Sequence, residues 1–107
     1  MRFKVRSLGR DDSADARRLG LIERSLLTAI AEAESESKGL ERRVEGARNS
    51  AASLMGTEQV DYLDRDQKKE KMLSDLEQQI IAGGNRIRQL NENLEHLRRA
   101  LELLNKK

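Results

Sequence analysis

The residues that could do chemistry are few and poorly grouped for it. His96, the single histidine, has Glu95 beside it and Glu92 one helical turn earlier. That supplies two or three donors where a metal centre needs three or four converging ligands. By its place in the surrounding pattern the group lies on an outer helix face and reads as solvated surface. Glu32, Glu34, Glu36 and Glu41 form an acidic side of the same kind. Nothing in the sequence points to the burial that raises a carboxylate's pKa for acid or base work. Gly83-Gly84-Asn85 lacks both the Gly-Lys-Ser/Thr ending and the preceding strand of a phosphate loop. Gly20, Gly39 and Gly46 lack the strand-turn-helix setting of a dinucleotide fingerprint and read instead as close-contact positions. With no cysteine, disulfides, thiolate metal sites and cysteine nucleophiles are excluded. The expectation is a protein that is not an enzyme and that uses no metal or cofactor.

The other chemistry-bearing group is basic. Arg2, Lys4, Arg6 and Arg10 precede the first acidic residue and are the candidate phosphate contacts, with further pairs at Arg17-Arg18, Arg42-Arg43, Lys68-Lys69, Arg98-Arg99 and Lys106-Lys107. Acids interleave with most of these pairs, the net charge is only +2, and Phe3 and Tyr62 are the sole aromatics. Nucleic-acid association through a basic N-terminal arm is therefore the alternative reading rather than the leading one. Membrane-surface binding through the same arm is weaker still, because too few apolar residues accompany the charge.

The elements that must position these residues are helices. At 37% charged, 36% hydrophobic and 2% aromatic residues, the chain is poor material for a globular core and suits a thin one. Proline is absent, and the apolar residues are periodic rather than scattered. Residues 1–11 read as a basic arm or short strand, with Phe3 and Val5 on one side and a break at Gly9. Residues 12–107 read as a helical hairpin. Helix 1, about 13–55, starts at the capping residues Asp11, Asp12 and Ser13 and carries Leu26, Ile30, Ala33, Ser37, Leu40, Val44, Ala47, Ala51 and Leu54 as one heptad stripe. Gly56-Thr57 reads as a stop signal followed by a cap, so helix 2 spans about 58–105. Its stripe is Leu73, Leu76, Ile80, Gly83, Ile87, Leu90, Leu94, Leu97, Leu101 and Leu104. A break at Gly83-Gly84 would give a three-helix bundle instead, but the phase from Ile80 to Ile87 is kept, which favours continuity.

The fold class is accordingly all-α, an antiparallel two-helix coiled-coil hairpin. A turn at 56–57 makes facing residue numbers total about 113, which sets Ile80 near Ala33, Ile87 near Leu26 and Leu94 near Leu19. Leu101 and Leu104 then project past the start of helix 1. Leu21, Ile22 and Leu27 fall off the first stripe, and Ile81 and Leu103 off the second, so the hairpin is apolar on more faces than one seam can cover. Homodimerisation into an elongated four-helix bundle resolves this, and Leu19, Leu21, Ile22, Leu26, Leu27, Ile30, Ile80, Ile81, Ile87, Leu90, Leu94, Leu97, Leu101 and Leu104 are the residues assigned to self-association. Around the turn, Leu54, Met55, Val60, Tyr62 and Leu63 either staple the helix ends or form a small patch for a protein partner. No run of apolar residues is long enough to span a membrane or to make a signal peptide, so a cytoplasmic interaction or scaffold protein, an accessory or adaptor of a larger assembly, is expected.

Overall fold

Two helices account for nearly all of the described residues. In the computed structural model, which describes residues 2–57 and 67–106 and the side chains of residues 9–56 and 67–106, α1 spans Arg2–Thr57 and α2 spans Gln67–Asn105. They form an all-α helical hairpin, with no strand among the described residues. No glycine adopts a positive φ, so α1 passes through Gly9, Gly20, Gly39 and Gly46 without a break. Each such glycine costs about 1 kcal/mol relative to alanine, too little to end a helix whose stripe keeps phase. α2 likewise runs through Gly83-Gly84, which removes the three-helix alternative. Its last turn is closed by Lys106 N–H donating to the Leu103 carbonyl at 3.3 Å.

Both ends of α1 differ from the sequence reading. Residues 2–11 are helical, not an arm or strand, and Asp11-Asp12-Ser13 lie inside the helix rather than capping it. Capping residues favour a helix start only where something upstream stops the chain from being helical, and neither proline nor a positive-φ glycine does so here. At the other end Gly56 and Thr57 are the last two residues of α1 instead of the turn. The expected start of helix 2 at residue 58 lies outside the described residues, as do Val60, Tyr62 and Leu63.

The chain divides into two compact units, a terminal one of Met1–Ala33 with Asn93–Lys107, and a central one of Glu34–Glu92. In the central unit Ser37, Val44, Ala47, Gly83 and Leu90 are buried, and Leu40, Ala51, Leu54, Leu73, Leu76, Ile80 and Ile87 are half-buried. The approach is closest at Gly83, where a Cβ would come within 2.5 Å of Val44 Cγ2. At Gly20, Gly39 and Gly46 a Cβ would meet nothing within 4 Å. Those three are therefore not close-contact positions, because they do not lie against the facing helix, whereas Gly83 holds a place in the stripe itself. In the terminal unit Ile30 and Leu94 are buried, and Leu26, Ala33, Leu97, Leu101 and Leu104 are half-buried. Burial of a leucine such as Leu90 or Leu94 contributes on the order of 1.5 to 3 kcal/mol.

The helices meet in a different register from the one expected. In the central unit Glu36 pairs with Arg86 and Val44 touches Gly83, so facing numbers total about 122 to 127 instead of about 113. In the terminal unit the two buried residues, Ile30 and Leu94, fit the same range. In the same register Leu101 and Leu104, both half-buried, lie alongside α1 rather than projecting beyond its start. The first turns of α1 outrun the end of α2.

Candidate interaction surfaces

The terminal unit exposes a cluster of large apolar side chains on α1. Leu19, Leu21, Ile22 and Leu27, all within nine consecutive positions, are 47 to 50% exposed. On α2 of the same unit Leu103 is 70% exposed. Helical phase explains the difference from the buried stripe. Leu21, Leu27 and Leu103 sit off the seam, while Leu19 and Ile22 lie where α2 is running out and offers only half-buried Leu101 and Leu104. Of the residues assigned to self-association, Ile30, Leu90 and Leu94 are already buried within the chain. Leu26, Ile80, Ile87, Leu97, Leu101 and Leu104 are half-buried along the seam. The surface left for another molecule is Leu19, Leu21, Ile22 and Leu27, with Leu103 on α2 of the same unit and Ile81, 62% exposed, in the central unit.

The central unit has its own concavity, an open groove of about 600 Å³ lined by Leu54, Met72 and Leu76 with Ser50, Ser53 and Asp75 at its polar edge. Met72 is 47% exposed and Met55, on the same helix as Leu54, is 60% exposed. Met72 escaped the sequence reading, although the signal was present. It falls one position off the Leu73 and Leu76 stripe, as Ile81 does relative to Ile80. A smaller groove of about 360 Å³ lies between Leu40, Val44 and Gly83.

The most specific polar feature was also missed from sequence. Glu36, read as part of a solvated acidic side, accepts two bonds from one guanidinium, at 2.9 Å from Arg86 Nε and 3.2 Å from Nη2. These hydrogen bonds hold the Glu36 carboxyl below its ordinary range, with the Arg86 and Arg43 charges adding to them and desolvation opposing. They raise Arg86 correspondingly. Its partners stand 50 residues apart, so only the tertiary register brings them together. Arg18–Asp15, Arg48–Glu45 and Arg99–Glu95 are by contrast exposed pairs within one helix, a type worth little to stability.

His96 is exposed, and no group of three or more His, Cys, Asp or Glu residues converges on a cation position among the described residues. Arg10 is exposed on α1, and the side chains of Arg2, Lys4 and Arg6 lie outside the described residues. Among the described residues no helix is long and apolar enough to cross a membrane. Compared with known proteins, the chain matches no family model, no curated protein and no solved structure.

Proposed function

We propose that the chain is a non-catalytic coiled-coil interaction protein of the cytoplasm, which self-associates through its terminal unit and serves as an accessory or adaptor in a larger assembly. One observation carries the reading: Leu19, Leu21, Ile22 and Leu27 remain about half exposed after the hairpin has formed. An apolar cluster of this density on one short stretch of helix is costly to leave in water, and a second copy is the partner always at hand. Two hairpins packed through this stretch make a four-helix bundle, and covering the exposed half of each side chain contributes roughly 1 kcal/mol per residue on either copy.

Light scattering on a size-exclusion column tests this directly. The expected mass is about twice the 12.2 kDa of the chain. The pair of changes Ile22→Glu and Leu27→Glu should return it to a monomer with helicity retained, since neither residue belongs to the buried set. A wild-type monomer at tens of micromolar, or a dimer indifferent to both charges, would overturn the proposal.

A further inference from the structure

Helical surfaces usually lace their arginines with carboxylates three or four residues away, and three arginines of this chain show it. Arg18 takes Asp15, Arg48 takes Glu45 and Arg99 takes Glu95. Arg10, Arg17 and Arg24 of α1 have no such neighbour. The positions three and four residues to either side of them hold Arg6, Ser7, Ser13, Ala14, Gly20, Leu21, Leu27 and Thr28, with no acid among them. All three are exposed, and none forms an ion pair with a described residue. Arg24 has one long bond, from Nε to the Gly20 carbonyl at 3.4 Å. At heptad spacing the three share one helical face, about 10 Å apart and roughly 20 Å end to end. That face points away from the stripe that α1 buries. Asp11, Asp12, Asp15 and Glu23, the acids of the same stretch, fall elsewhere around the helix.

The charge of the whole chain hides this arrangement. The terminal unit carries 11 Lys and Arg against 7 Asp and Glu, and the central unit 10 against 12, so a net +2 divides into about +4 and −2. The ligand is constrained by what the face lacks. Between the arginines stand Ser13 and Gly20 with a single large apolar side chain, Leu21, four residues after Arg17 and three before Arg24, too little to make a seam for an acidic helix. One leucine is likewise too little to hold this face in a bilayer. A phosphate backbone needs charge alone. Without stacking aromatics, Phe3 and Tyr62 being the only two in the chain, a duplex fits better than a single strand.

We infer that Arg10, Arg17 and Arg24 form a sequence-independent contact for the phosphate backbone of duplex nucleic acid, spanning about six base pairs. The contact is a property of one chain, and because Leu21 and Leu27 of the self-association surface adjoin Arg24, the mass of each variant is read beside its affinity so that the two readings fail separately.

Fluorescence anisotropy of a labelled random-sequence DNA duplex titrated with the full chain tests it. Binding at about 50 mM salt should weaken by roughly 40-fold at about 200 mM, as three released counterions require. The triple variant Arg10→Gln, Arg17→Gln, Arg24→Gln should weaken binding at least about tenfold at the lower salt and flatten the salt slope by about 3. Its helicity and light-scattering mass should be those of the wild type. Lys68→Gln, Lys71→Gln, Arg88→Gln, which removes the same charge from the central unit, should change affinity by less than about twofold. Equal weakening by both triples, no duplex binding at low salt, or binding to phosphatidylserine vesicles without binding to the duplex would each overturn the assignment.

Discussion

The central and terminal units are cut from the same two helices, and they treat their side chains differently. In the central unit small residues, Ser37, Ala47 and Gly83, alternate with Val44 and Leu90, and all five are buried. In the terminal unit α1 is richer in leucine and isoleucine, yet among its described side chains only Ile30 is buried while Leu19, Leu21, Ile22 and Leu27 stay half exposed. Apolar content is therefore a poor guide to where a two-helix structure is tight. Close approach of the backbones depends on small side chains in the seam, and bulk placed off the seam is left for something else to cover.

The sharpest way to break this contrast is to put a charge in each kind of position within the terminal unit. Leu94, 4% exposed, should not tolerate Leu94→Asp, which buries an unpaired carboxylate at a cost of several kcal/mol and should abolish cooperative thermal unfolding followed by circular dichroism. Leu103, 70% exposed on the same helix, should accept Leu103→Asp within about 0.5 kcal/mol. A normal melt for the first variant would remove Leu94 from the seam.

The next test separates adjacent glycines of the central unit. Gly83→Ala brings a methyl group against Val44, a stiff β-branched neighbour, and should destabilise by about 1 kcal/mol net of its gain in helix propensity. Gly84→Ala meets nothing within 4 Å and should stabilise by roughly 0.5 to 1 kcal/mol. Equal effects of the two in urea titrations would mean that the close approach is not at Gly83.

The smallest expected effect is that of pH. Because the folded Glu36 carboxyl is held below its ordinary value, the pair with Arg86 adds stability above about pH 4.3 and loses it as pH falls through the lowered value. Glu36→Gln should therefore narrow the gap to wild type in melting temperature as pH drops from neutral into that range. A gap that stays constant with pH would count against the forked bond.

Much of the architecture was legible in the residues. The stripes from Leu26 to Leu54 and from Leu73 to Leu104 mark the faces that are buried or half-buried, because a helix puts every third and fourth residue on one side whatever lies opposite. The exposed Leu21, Ile22, Leu27, Ile81 and Leu103 were legible for the same reason. The start of α1 was not. Capping residues near Asp12 are weak local preferences, worth about 1 kcal/mol, and a helix with no proline to stop it runs through them, whereas the ends expected near 55 and 105 fall within two residues of Thr57 and Asn105.

What the sequence determined by itself was helix, and which face of each helix turns inward. Both follow from local geometry and from the spacing of apolar residues. Only the tertiary structure decided the register, and with it the bond between Glu36 and Arg86, the contact of Gly83 with Val44, and the length of α1 left beyond α2. The reason is that a heptad stripe looks almost the same after one helix slides along the other by whole heptads. The expected and observed registers differ by about nine to fourteen residues, a slide of one to two such repeats, so side-chain size and individual pairings chose between arrangements that the pattern alone left equivalent.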